Sequence, residues 1–194
     1  MSTYVVTDIE ANGLVPGRHS MISMASVAVD QRGTELGRFT VNLVPLAENT
    51  SDPGTMAWWA TRPEAWREAT ADPLEAPHAM AAFTTWVQQL PKPRVFTAHP
   101  VSFDGAYMAW YLDRFADVPL YDNQRQMGLT TAALDLPSLV MGVMGWDFDR
   151  CGRHGYPAEW LGGKPHFHKA LDDALGYAAL LKTMLEKHRA TVSP

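Results

Sequence analysis

Cysteine is almost missing from this chain. Cys151 stands alone among 194 residues, so no disulfide can close within it, and the composition suits a reducing compartment. Long apolar runs are missing too. No stretch approaches the ~20 uninterrupted apolar residues that cross a bilayer, and residues 1–30 lack the basic start and apolar centre of a secretory leader. A cytoplasmic protein without a membrane partner is therefore expected. Positive charge is scarce: 16 Lys and Arg against 21 Asp and Glu leave a net charge of −5 with His neutral. That balance excludes binding of long duplexes by bulk positive charge. It leaves room for a nucleic-acid enzyme, because bound metal cations reverse the local field of an acidic pocket. Internal repeats, heptads and low-complexity segments are absent as well.

What is present is a globular mixture, 46% hydrophobic and 19% charged. A chain of this size buries roughly 70% of its unfolded surface, enough for a conventional core. Residues 4–10 are rich in β-branched and aromatic types and stop at the turn signal Asn12-Gly13. Strands over 21–30 and 35–44, joined by the turn Gln31-Arg32-Gly33, would complete an antiparallel meander. After a polar loop over 45–54, residues 56–70 read as one or two short helices broken near Pro63. Met80, Phe83, Trp86, Val87 and Leu90 have helical spacing within 75–90. A buried strand over 94–98 and a helix over 102–115 follow, with Ser102 as its candidate cap. Another helix is expected over 136–144 with Asp135 as N-cap, then a glycine-rich loop over 145–165 and a last helix over about 169–189. Residues 190–194 should fray. With no linker break, the pattern predicts one α/β domain over 1–194.

The carboxylates set the functional question. Asp8 and Glu10 sit two apart near the end of a strand that otherwise wants apolar residues, and period two points both to one face. A partly buried acid pair is costly unless a cation lies between them; a solvent-facing strand edge would accept it without function. Asp147 and Asp149 have the same spacing in the glycine-rich loop beside Arg150, where solvation explains them. Asp104, directly after a strand, would lie in the first turn of a helix, where negative charge is favourable. Asp172 and Asp173 open the last helix in the same way. Five helical positions span ~500°, so His168 and Asp173 can meet only if His168 lies on the loop before the helix and leans over it. Ala170 would leave room for that approach.

Asp8 with Glu10, then Phe103-Asp104, then His168 with Ala170 and Asp173, taken in this order, resemble the DEDDh family of 3'-to-5' exonucleases. The segment Asp8-Ile9-Glu10-Ala11-Asn12-Gly13-Leu14 is similar to that family's D-x-E-T-T-G-L opening, and the likeness spans residues 4 to about 180. The resemblance implies an RNase H-like α/β fold, a five-stranded mixed sheet flanked by helices. It also implies that Asp8, Glu10, Asp104 and Asp173 gather two Mg²⁺ or Mn²⁺ ions about 3.5–4 Å apart. Asp8 would bridge them, Glu10 and Asp173 would hold the ion that activates water, and Asp104 would act through a metal-bound water. His168 would be the general base, with a near-neutral pKa. The partner would be the 3' end of single-stranded RNA or DNA, released as nucleoside 5'-monophosphates, and a homodimer is expected on the same ground.

Leu14 and Met24 are similar in position to family residues that wedge against the last bases. Thr55-Met56-Ala57-Trp58-Trp59 is similar to a T-x-x-W-W segment of phage-type exonucleases. Trp58, Trp59 and Phe103 join the candidate substrate contacts, since stacking on an aromatic ring is worth ~1–3 kcal/mol per base. Core or dimer-interface packing would explain the tryptophans equally well. Arg150, Arg153, Lys164 and Lys169 face only Glu159 over 150–169, a local surplus of positive charge that could lead a nucleic-acid backbone toward His168 or simply be solvated. Two positions depart from the family: Pro100 replaces a common Asn and Ala11 a common Thr, both bearing on substrate grip rather than metal binding. Two rivals stand beside this reading. Cys151, His154, His166 and His168 could form a structural zinc site. A non-catalytic nucleic-acid-binding module on the same fold is the other, although such a module has no use for a full acid set.

Overall fold

The computed structural model describes residues 2–121, 129, 132–163 and 168–192. Strands β1 (Thr3–Ala11), β2 (Met21–Val29) and β3 (Glu35–Asn42) form the expected antiparallel meander. Strand β4 (Arg94–Ala98) joins β1 in parallel, and β5 (Leu134–Asp135) joins β4, giving a mixed five-stranded sheet of order β3-β2-β1-β4-β5. The two-residue β5 is too short to leave a sequence signal. Helices α1 (Pro53–Ala60) and α2 (Pro63–Ala69) are separated at Arg62-Pro63, where the proline closes one helix and opens the next. Four further helices are α3 (Ala76–Gln89), α4 (Val101–Ala116), α5 (Leu136–Met144) and α6 (Ala170–Val192). No described helix is long and apolar enough to cross a membrane.

Both faces of the sheet are covered. Val5, Ile9, Met24 and Ala28 pack against Met80, Phe83 and Val87 of α3 and Tyr107 and Tyr111 of α4. Val6, Ala25, Val27 and Val29 pack on the other face against Val140 of α5 and Ala174, Tyr177 and Leu181 of α6. A smaller cluster joins Ile22 of β2 to Trp59 and to Ala65 and Ala69 of α2. A bulge after Glu10 brings Ala11 opposite Met21 instead of Ile22, so β2 changes face there while β1 keeps its alternation, and Ile9, Ala11, Met21 and Met24 share one core cluster. Tyr111 Oη accepts the Met21 N–H at that irregularity, at 2.8 Å.

Local signals held in most places and failed in instructive ones. Asp135 caps α5 as expected, accepting the Ser138 N–H at 3.0 Å. Ser102, by contrast, does not cap α4: the helix starts one residue earlier, and the Val101 N–H donates to the other oxygen of Asp135. Asp135 thus serves two helix starts, which no local pattern could show. The described part of the loop over 145–165 is more regular than expected, with 3₁₀ turns over Phe148–Arg150, Arg153–Gly155 and Ala158–Leu161. The last helix also continues to Val192, past the point where fraying was expected.

Candidate active site

Tyr4 and Val6 of β1 side on the α6 face of the sheet, so period two puts Asp8 and Glu10 on that face too. They lie where β1 runs past the end of β4, whose pairing with β1 stops at Val6 and Thr97. Beyond that point the Ile9 N–H has no strand partner. Asp104, in the first turn of α4, accepts it through Oδ1 at 2.9 Å, which anchors this carboxylate beside β1. Asp173 comes from the first turn of α6. His168 precedes that helix with φ of +54°, a left-handed conformation costly for a residue with a side chain. Because it is not helical, the ~500° objection falls away, and the ligating atoms of Glu10, His168 and Asp173 lie within 4.8 Å of one another.

The acids are buried: Asp8 is 8% exposed, Glu10 9%, Asp104 2% and Asp173 0%. Burial, followed by the Asp104, Glu10 and Asp173 charges, raises the Asp8 carboxyl well above its ordinary range, while Arg153 pulls it down. Glu10 is raised to about 8 by burial and by Asp173 and Asp104. Asp104 rises to about 7 through burial, opposed by its hydrogen bond from Ile9. Without cations such a cluster resists ionisation; with divalent cations it becomes a strong oxygen-donor site.

A cavity of about 440 Å³ extends from Glu10 and is walled by Leu14, Thr55, Trp58, Trp59 and Phe103. Leu14 is 69% exposed at its mouth. Gly13 is needed here by close approach, since a Cβ would stand 2.2 Å from the His19 ring. Phe103 packs edge-on against Tyr107, whose hydroxyl donates to the Gly13 carbonyl at 2.9 Å. Asp52 caps α1, accepting the Thr55 N–H at 2.7 Å, and fixes the opposite wall. The two tryptophans differ. Trp59 is core: its Nε1 donates to the Ala11 carbonyl at 3.0 Å and its ring meets Trp58 and Trp66. Trp58 is half-buried and stands edge-on to the His168 ring, centroids 4.4 Å apart, with Arg62 over its face at 4.1 Å.

Three expectations are corrected. Met24 cannot contact a base: it is 0% exposed, and as the cross-strand partner of Ile9 it shares the sheet face opposite the acids. The surplus of positive charge over 150–169 does not form one continuous track among the described residues, although Arg150 is exposed. Arg153 is buried with Nη2 3.1 Å from Asp173 Oδ1, Lys169 pairs with Glu68, and Arg150 lies over Trp146; Lys164 lies outside the described residues. The zinc set is not assembled among the described residues. Cys151 is buried in the core beneath α6, His154 is exposed, and His168 stands with the acids, while His166 lies outside the described residues. Asp147 and Asp149 are exposed, as the loop reading expected. Arg153 was missed as a site residue, and a lone arginine in a glycine-rich loop carries no signal that could have found it.

No family model matches the chain. Cap18 of Escherichia coli, a 3'-5' DNA exonuclease, is 27% identical over 143 residues, covering 72% of this chain and 68% of that protein. Exonuclease I of Escherichia coli in complex with a dT13 oligonucleotide superposes with a TM-score of 0.73 at 18% identity, covering 98% of this chain and 43% of that one. Exonuclease I of Methylocaldum szegediense gives 0.68 at 17% identity, covering 99% and 42%. The chain thus spans about two fifths of the exonuclease I structures, and its fold is the RNase H-like fold found there. In sequence it is similar to a 3'-5' DNA exonuclease, and in fold to exonuclease I.

Proposed function

We propose that this chain is a single-domain, metal-dependent DEDDh-type 3'-5' exonuclease that shortens single-stranded DNA to nucleoside 5'-monophosphates. One observation carries the reading: four buried carboxylates from β1, α4 and α6 meet an imidazole at the end of a mostly apolar cavity. Folding alone gains nothing from such a cluster, so it is best explained by cations and a phosphate. DNA is favoured over RNA by the names of its relatives, a DNA exonuclease and an exonuclease I seen with a DNA oligonucleotide.

The donors fit divalent metal. Asp8, Glu10, Asp104 and Asp173 offer the carboxylate oxygens that suit Mg²⁺ or Mn²⁺, and Glu10 and Asp173 already stand within coordinating reach of each other. Two ions bound there would neutralise the acids, stabilise charge on the phosphate and make water a better nucleophile. The rest falls to the chain. His168, held by Trp58 on one side and by its fixed backbone on the other, takes the proton from the attacking water. That water bonds to phosphorus as the bond from phosphorus to the 3'-oxygen of the preceding nucleotide breaks, and the freed 3'-oxygen takes a proton from solvent. The terminal base lies in the cavity, where Leu14, Phe103 and Trp58 offer apolar surface to any base. Trp59 supports the wall from the core.

A gel time course decides the matter. With Mg²⁺ or Mn²⁺, a 5'-labelled single-stranded DNA should yield a ladder shortening from its 3' end, while a blocked 3' end or EDTA should stop it. Absence of cleavage of both DNA and RNA with either metal, or an internal cutting pattern, overturns the reading.

A further inference from the structure

Arg153 is buried, and its guanidinium stands against the acid cluster. It begins the 3₁₀ turn Arg153–Gly155, where a Cβ on Gly155 would stand 2.2 Å from the Arg150 carbonyl oxygen, so only glycine closes the turn. The turn is fastened from both ends. Cys151 is buried and its Sγ donates to the Asp147 carbonyl. The Tyr156 hydroxyl meets both the Cys151 carbonyl and His99 Nε2 at the end of β4. From this anchored loop the guanidinium reaches inward over α6. It lies 5.1 Å from the Tyr177 ring centroid and beside Gly176, where a Cβ would come 3.7 Å from Nη1. There it meets Asp173, and its charge also acts on Asp8. His99, stacked on Tyr177, is pushed down to about 4 by burial, so it adds no second positive charge.

We propose that Arg153 is a positioning residue and resident counter-cation for the acid cluster, holding Asp173 in place while the divalent ions are absent and competing with them once they arrive. This rests on the metal-dependent reading above. A buried carboxylate that loses a paired cation is strongly disfavoured, and replacing the arginine leaves the acids to repel one another. Divalent ions supply the missing charge. Linkage then requires that whatever stability a variant loses more in the metal-free state than in the loaded state reappears as tighter metal binding.

The test compares Arg153→Met, Arg153→Lys and the wild type by thermal melting in EDTA and in saturating MnCl₂, with MnCl₂ titrated by calorimetry. In EDTA, Arg153→Met should melt ~10 °C below the wild type, and Mn²⁺ should close more than half of that gap. Calorimetry should show Mn²⁺ binding ~10-fold tighter in that variant. Arg153→Lys, which keeps the charge, should restore most of the metal-free stability. An equal gap in both buffers makes Arg153 a packing residue and overturns the proposal, as does no gap at all. If Arg153→Met does not fold in EDTA, Arg153→Gln against Arg153→Lys carries the same comparison, and identical behaviour of the neutral and charged variants overturns it. A wild type whose melting Mn²⁺ does not raise would instead sink the metal-dependent reading, and this inference with it.

Discussion

Two stretches of β1 share one face of the sheet and have opposite roles. Tyr4 and Val6 lie beneath α5 and α6, where apolar surface leaves water and stabilises the fold by about 1.5–3 kcal/mol for each large side chain. Two and four residues further on, the same face presents Asp8 and Glu10, buried against Asp104 and Asp173. Those acids oppose folding, and Arg153 beside Asp173 offsets only part of their repulsion. Apolar packing and the acid cluster are thus separated by less than two turns of the strand pleat. The separation is sharp because β4 ends between them: up to Val6 the strand has a neighbour, and past it a carboxylate takes the neighbour's place.

That contrast can be broken at either end. Asp8→Asn should lower the exonuclease rate by ~10³-fold or more, measured in single turnover, while raising the melting temperature in EDTA because the buried position no longer has to carry a charge or take up a proton on folding. A variant that loses activity and metal-free stability together would mean that Asp8 is part of the scaffold. His168→Gln should slow the same reaction by ~10²–10⁴-fold and leave the affinity for single-stranded DNA nearly unchanged, as a fluorescence-anisotropy titration would show. At the apolar end, Val6→Ala should cost ~2 kcal/mol in urea unfolding and leave kcat alone. A large fall in kcat there would show the two stretches to be coupled.

The smallest effect sharpens the comparison through pH. Glu10 and Asp104 titrate in the fold at about 8 and about 7, above the ~4 of an unfolded carboxyl. Between those limits the native state holds more protons than the unfolded one, so metal-free stability is full at low pH and falls as pH rises through the window. Melting in EDTA should therefore drop from pH 5 to pH 8, and saturating Mn²⁺ should flatten the slope. A flat profile in EDTA would mean that the acids are not protonated in the metal-free fold.

Much of the molecule was legible because its signals are local. The meander follows from β-branched runs and turn dipeptides, and α3 from the spacing of Met80, Phe83 and Val87, which do face the core. Asp8 and Glu10 stand out as acids at the end of an apolar strand, and His168 meets the acids from just outside α6, the placement its spacing from Asp173 demanded. Met24 misled because likeness of position along a strand says nothing about which face a residue takes; its pairing with Ile9 decides that. Ser102 misled because the better acceptor for the start of α4 is Asp135, 34 positions away in sequence.

By itself, the order of residues determined which elements form and which acids were candidates, since strand period, turn chemistry and helix spacing act over a few neighbours. The tertiary structure alone decided that Asp104 replaces a strand partner for Ile9, that Trp58 braces His168 and that Arg153 turns inward to Asp173. Each of those joins groups that only the closed fold brings within a few ångströms. Charge, hydrogen bonding and ring contact act through space at that range, and distance along the chain does not enter.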